Sequence, residues 1–263
     1  MNVSPLDNPV WHALNSYHAH LAIRGDGTVR YPPDVFSAAA TLENSRLEFT
    51  NLRGLVETNE IVGVLGALPE DLPGWEVIFI DQARQFIHEN LRPAMQINSV
   101  VLTAADVPDM LDLVSLAQPG PFSPRAIELG EFLGLRQDGS LVAMAGQRLH
   151  LPGFCEVSTV CTHPEYRGRG YAGALTTMVA EAILARQETP FLHVAPGNDG
   201  AQRLYLKVGF RIRAEIQVSM LKKAGGLVRK VCLAERRIEL HKQVSPSTAC
   251  TPAAYAGAGR TDG

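Results

Sequence analysis

The sequence predicts an α/β fold, with strands and helices combined around a mixed sheet of the α+β kind. Three observations lead there. Short apolar runs of strand length alternate with segments whose apolar residues recur at helical spacing. Two glycines in Gly168-Arg169-Gly170 mark a junction where a strand-like run gives way to a helix-like one. The 263 residues are 46% hydrophobic and 19% charged, the balance of a chain with a core to fill, which excludes disorder for its bulk.

Charge and cysteine content remove further classes. With 24 basic and 27 acidic side chains the formal net charge is -3, so no basic excess is left to neutralise a nucleic-acid backbone. Four cysteines cannot make a disulfide scaffold. Cys155, Cys161, Cys232 and Cys250 lack CxxC spacing, which argues against a zinc knuckle. On one strand, Cys155 and Cys161 would lie ~20 Å apart, too far to bond. The start, MNVSPLDNPV, lacks the basic and apolar regions of a signal peptide, and no run approaches the ~18 apolar residues of a membrane-spanning helix. A cytoplasmic protein with free thiols and no membrane partner is expected.

In chain order, Asn8-Pro9 reads as the start of a helix carrying Val10, Trp11, Leu14, Tyr17, His18 and Leu21, ended by Gly25-Asp26-Gly27. Tyr31-Pro32-Pro33 begins a non-helical connection. Residues 47–80 read as strand-rich, with Ile61–Leu65 and Trp75–Ile80 the best strands and a loop at 68–74. The pattern sharpens beyond Leu91-Arg92-Pro93, and the boundary is set near residue 95. Ile97–Leu102 then reads as a strand. Thr103 and Asp106 open a helix in capping-box fashion, with Val107, Met110, Leu111, Val114 and Ala117 on one face. A second short helix follows Ser123-Pro124.

A hairpin signal comes next: Glu131–Arg136, the turn Asp138-Gly139, and Ser140–Leu149. After Leu151-Pro152-Gly153, Cys155–Thr162 is a strand rich in Val and Thr. A helix opens at Gly168–Ala172, its apolar face formed by Ala172, Leu175, Val179, Ala182 and Ile183, and Pro190 marks its end. Phe191–Ala195 is a short buried strand. Asn198 caps a helix that Gly209 closes in left-handed conformation. Phe210–Leu221 is a long strand, with Leu227–Ala234 as its expected partner. Residues 245–263 lack apolar periodicity and are expected to be mobile.

The chemistry resides between Glu156 and Phe210. In Thr162–Ala172 a strand ends, the chain turns through two glycines, and a helix begins. Amides at such a junction point outward, unpaired, at the positive end of a helix dipole, which suits a pyrophosphate. Arg167 and Arg169 add positive charge. No Gly-Lys-Ser/Thr follows, so this is not a Walker loop, and no dinucleotide-binding βαβ unit is evident. A lone GxG is a weak signal, and the downstream residues strengthen it.

The order of residues here resembles the GNAT superfamily of N-acetyltransferases. Its acyl-CoA loop follows Arg/Gln-x-x-Gly-x-Gly/Ala, which Arg167–Ala172 matches at each specified position. Its next motif has an Asn opening a helix, then Ala, Leu-Tyr and Gly-Phe. Asn198, Ala201, Leu204-Tyr205 and Gly209-Phe210 match in order and spacing. The resemblance covers about residues 97 to 222, and the first part resembles the extra half of some larger bacterial members. It implies a degenerate GNAT-like α/β half over 1–95 and a GNAT domain over 96–243; composition sets the mobile tail at 244–263.

Carried onto this sequence, the resemblance implies that the backbone of Val160, Cys161 and Thr162 pairs with the pantetheine arm in a slot between splayed strands. A backbone amide there would polarise the thioester carbonyl. Arg167, Gly168, Arg169, Gly170, Tyr171 and Ala172 would hold the pyrophosphate, Asn198 would reach the pantetheine, and Tyr205 would protonate the departing thiolate. Two residues compete as base, and a water relay is the third option. Glu156 shares a face with Ser158 and Val160 on a regular strand, where some protein-acetylating members have a catalytic glutamate. His193 occupies a strand position where some relatives have one, and histidine titrates near neutrality. Each competes with a bland reading, a solvated glutamate and a satisfied core histidine.

His18 and His20 point to different helix faces, against a metal pair, and Cys161 reads as a buried small residue rather than a nucleophile. The expected activity is acetyl transfer from acetyl-CoA to a primary amine of a small or amino-acid-like acceptor, without metal, by a monomer or homodimer. The alternatives are an acyl-CoA-binding regulatory module without turnover, and a protein N-acetyltransferase, for which a wide groove over the site is expected.

Overall fold

The structure is a computed structural model and describes residues 4–225. Eleven strands form one sheet: β1 (Ile23–Gly25), β2 (Thr28–Arg30), β3 (Ala38–Thr41), β4 (Ile61–Leu65), β5 (Trp75–His88), β6 (Val100–Leu102), β7 (Phe132–Gln137), β8 (Ser140–Leu151), β9 (Phe154–Thr162), β10 (Thr189–Val194) and β11 (Phe210–Lys223). The helices are α1 (Pro9–Leu14), α2 (Arg46–Gly54), α3 (Val107–Ala117), α4 (Tyr171–Ala185) and α5 (Asp199–Val208), with short 3-10 turns between elements. The sheet order is β1-β2-β3-β4-β11-β5-β10-β9-β8-β7-β6. It is mixed: β3 and β4 are parallel across α2, β9 and β10 are parallel across α4, and the other neighbours are antiparallel. No helix among the described residues is long and apolar enough to cross a membrane.

The centre of the sheet interleaves the chain. β11 lies between β4 and β5, and β5 lies between β11 and β10. Strands from either side of residue 95 are thus inserted between one another, and the irregular segment 89–99 joins β5 to β6. Both edges of β11 are taken, one by β4 and one by β5. The strand expected over Leu227–Ala234 and the tail over 245–263 lie outside the described residues.

One face of the sheet packs on α4 and α5, through Leu175, Val179, Ile183, Tyr205 and Val208 against Phe86, Val157 and Leu192. The opposite face is covered by the first 40 residues over Leu149, Leu151 and Phe191, and by α3 over Phe132, Met144 and Cys161.

Three elements differ from expectation. The first helix stops at Leu14, where Asn15 Nδ2 donates to Trp11 O and Ser16 Oγ to His12 O, so polar side chains take the last carbonyls. Residues 46–54 are helical rather than extended, because Ser45 and Glu48 cap each other's backbone amides. Pro190 sits inside β10, and α4 already ends at Ala185. The capping box at Thr103 and Asp106 and the left-handed Gly209 are present as expected.

Candidate active site

The double-glycine bend follows β9 through a 3-10 turn at Pro164–Tyr166. Gly168 and Gly170 have φ of +78° and +83°, a region that costs an L side chain ~1 kcal/mol or more. A Cβ on Gly168 would meet nothing within 4 Å, so its dihedral, not crowding, requires glycine there. Gly170 caps α4 without any side-chain hydrogen bond. The amides from Gly168 to Gly173 find no acceptor among the described residues, and the first amide of the bend to be satisfied is Ala174, by Gly170 O. Bare N–H groups thus converge at the positive end of a 15-residue helix, a cradle that fits a diphosphate. Arg167 and Arg169 are exposed beside it, and Arg169 lies 4.8 Å over the Tyr166 ring. Tyr171 and Ala172 form the first turn of α4.

A gap opens next to this cradle. β9 and β10 pair from Phe154/Thr189 to Glu156/Phe191 and make no further pair, whereas β10 continues along β5 to Val194. At the mouth of the gap β9 bulges. Ser158 opposes Gly146 and Cys161 opposes Met144, so Thr159 and Val160 together face Ala145. Thr159 takes φ +53°, rare for a β-branched residue. The extra residue reverses the side-chain alternation. Val160 therefore packs against the α4–α5 core, and Cys161 turns to the α3 side. This corrects the expectation that Val160 shares a face with Glu156, which assumed a regular strand. Burial pushes the Cys161 thiol up to about 12, the state of an inert apolar side chain. Thr162 ends β9, its hydroxyl buried without a partner among the described residues.

Glu156 and His193 meet where the gap begins, on the face covered by the first 40 residues. His193 Nδ1 is 2.7 Å from Glu156 Oε1. Arg148 Nε and Nη2 donate to the two Glu156 oxygens at 2.8 and 2.7 Å. Glu156 is fully buried. Burial alone would raise its pKa, but the Arg148 guanidinium overrules that and holds the carboxyl at about 2. Glu156 is therefore ionised and enclosed. The other ring nitrogen of His193, Nε2, lies 3.0 Å from Gln85 Nε2. Gln85 in turn donates to Leu6 O and accepts from Arg213, and Arg213 is bound by Asp7.

Tyr205 stands on the opposite face, in α5, with its ring against Phe86 and Phe210. It is 8% exposed, and its hydroxyl has no hydrogen-bond partner among the described residues. Burial, reinforced by the nearby Glu156 charge, pushes the phenol up to about 12. It therefore holds its proton at neutral pH. Asn198 caps α5 by accepting from the Ala201 amide, and its Nδ2 has no partner among the described residues.

Sequence reasoning missed Arg148, Gln85, Arg213 and Tyr31. The turn at Pro152-Gly153 points toward the Arg148–Glu156 neighbourhood, but a register shift between Gln147 and His150 displaces Arg148 from its regular place. Gln85 and Arg213 belong to strands whose adjacency no local pattern encodes. His18 is not a free ligand: Tyr31 Oη lies 2.7 Å from Nδ1, and Leu129 O lies 3.1 Å from Nε2.

Comparison with known proteins identifies the family. A family model described as FR47-like protein matches residues 132–218. A protein from Novosphingobium aromaticivorans assigned to the GNAT family is 34% identical, with a TM-score of 0.78, over 84% of this chain and 100% of that one. A GCN5-related N-acetyltransferase from Kribbella flavida shares the fold at 17% identity, with a TM-score of 0.52, over 78% of this chain and 90% of that one. No curated protein matches. The chain belongs to the GNAT family of acetyltransferases and is an acyltransferase.

Proposed function

We propose that the chain transfers an acetyl group from acetyl-CoA to a primary amine of a small or amino-acid-like acceptor, by direct attack. The single observation that carries this reading is the arrangement across the gap. A buried, protonated Tyr205 lies on one face and the Glu156–His193 pair on the other, with the bare amides of 168–173 alongside. Acetyl-CoA would supply the thioester, its diphosphate on those amides and its pantetheine along Val160–Thr162 and Asn198.

An amine approaching from the Glu156 side needs somewhere to lose its proton, and the leaving sulfur needs one on the Tyr205 side. Tyr205 serves as acid. The Glu156–His193 pair lies on the side where the amine proton leaves, and with both ring nitrogens engaged a water relay carries that proton away. The amide of the Thr159–Val160 bulge would polarise the carbonyl. A small acceptor is favoured over a protein because the first 40 residues pack over this face, with Tyr31 buried and Phe36 under Arg148.

Residues 1–95 are best read as a second, degenerate half. Its helix α2 also follows a strand, but Glu48 occupies the amides of Glu43 and Ser45 that would otherwise be bare. The experiment is CoA release from acetyl-CoA with a panel of small amines. Tyr205→Phe should lower kcat about 100-fold with little change in the KM for acetyl-CoA. Unchanged turnover would remove Tyr205 as acid, and acetyl-CoA binding without turnover on any amine would favour a regulatory module.

A further inference from the structure

We infer that residues 93–98, in the segment joining β5 to β6, are a strap over the cofactor site, and that Met95 on this strap touches the diphosphate end of bound acetyl-CoA. This inference rests on the reading of the 168–173 amides as the diphosphate cradle.

The strap begins and ends on fixed points. At one end the Arg92 amide donates to Val208 O at 3.1 Å, where α5 closes. At the other, Val100 enters β6 and pairs with Gly134 on β7. Leu91 and Ile97 both pack against the α4–α5 core, so the segment crosses that side of the sheet. Met95 lies between these two docked side chains in sequence and is 48% exposed.

Its methyl carbon reaches the double-glycine bend. It lies 3.7 Å from the point where a Cβ on Gly170 would stand, and Gly168 has nothing within 4 Å of the same point. Among the described residues, Met95 is therefore the one distant side chain at these two glycines. A diphosphate on the neighbouring amides either meets the Met95 thioether or pushes it aside. Contact costs less. Withdrawing the strap would pull Leu91 and Ile97 off the core. An unbranched thioether with three rotatable bonds instead reshapes itself around a neighbour.

The backbone is prepared to respond. The amides of residues 94–98 donate to nothing among the described residues, and within the strap's span Ser99 N to Ile97 O is the one backbone bond printed by the geometry. The strap is thus docked by side chains at both ends and loose between them, a state that a ligand can order. Because it joins the first part of the chain to the second, cofactor that orders it also tightens that joint.

The test uses the full chain and CoA. Hydrogen exchange of the peptide containing residues 93–99 should slow about tenfold when CoA binds. By calorimetry, Met95→Glu sets a carboxylate against the diphosphate and should raise the dissociation constant for CoA about tenfold, whereas Met95→Lys should lower it about threefold. Both effects should shrink at high salt. Met95 is exposed on an irregular segment, so denaturant midpoints of both variants should match wild type. Exchange that is unchanged or faster with CoA, or a wild-type affinity in Met95→Glu, overturns the inference; the cradle still stands if Gly168→Ala weakens CoA binding. If Gly168→Ala leaves CoA binding unchanged, the cradle and the strap fall together. Neither readout needs turnover, so failure of the acyl-transfer reading would be seen separately, as CoA binding without acetylation of any amine.

Discussion

Glu156 and His18 are the two buried titratable groups whose charge states most directly couple this protein to pH. Glu156 is held at about 2 by Arg148, against an ordinary 4.5. A depressed carboxylate contributes stability above its unfolded value and loses it as pH falls through the folded one. His18 is lowered from 6.5 to about 4, chiefly by burial, so its neutral form is favoured in the folded chain. Between those values the unfolded chain binds the extra proton, and stability falls as pH drops. Urea midpoints should therefore decline in two stages, from about 6.5 to 4 through His18 and from about 4.5 to 2 through Glu156. The first stage is worth about 3 kcal/mol at most. His18→Gln should flatten that stage and leave the second; an unchanged slope would count against the assignment. Glu156 and His193 were singled out in the sequence through the resemblance, at strand positions where relatives carry a glutamate, and the structure brings the two side chains together. Arg148 was not, because a register shift is a property of two strands and leaves no mark on either alone.

At the scale of elements, two glycines separate function from folding. Gly168 has open space where a methyl would sit, so Gly168→Ala costs only the left-handed strain, about 1 kcal/mol, while disturbing the cradle. Its KM for acetyl-CoA should rise about tenfold or more with a small loss of stability. Gly209 also has positive φ, but a Cβ there would lie 1.9 Å from Asn90 O, inside the joint where segment 89–92 hydrogen-bonds the end of α5. Gly209→Ala should lose about 3 kcal/mol or more, read as a fall in denaturant midpoint. Equal behaviour of the two variants would contradict this division. Both glycines were readable from local sequence, as were α3, the β7–β8 hairpin and the α5 caps, since turn and cap chemistry is local. Helix α2 was missed because Leu47, Phe49 and Leu52 also suit a strand, and its capping box was the signal that could have decided it. The Thr159 bulge was invisible, since nothing about threonine announces a positive φ.

At the scale of the molecule, the interleaving of β5 and β11 makes the first part of the chain structurally inseparable from the site, through Gln85 and the strands on either side of it. No periodicity reports which distant strands become neighbours, so this was beyond the sequence. The two α/β crossovers differ in one respect that matters: the amides before α4 are bare, whereas Glu48 fills those before α2. Calorimetry should therefore give one acetyl-CoA per chain, and two would show that the first crossover also binds. The most direct measurement of the whole account is a crystal structure of the protein with CoA. The expected result is the diphosphate on the amides of residues 168–173 and the sulfur within hydrogen-bonding reach of the Tyr205 hydroxyl, in the gap between β9 and β10. CoA bound elsewhere, or a Tyr205 hydroxyl turned away from the sulfur, would contradict it.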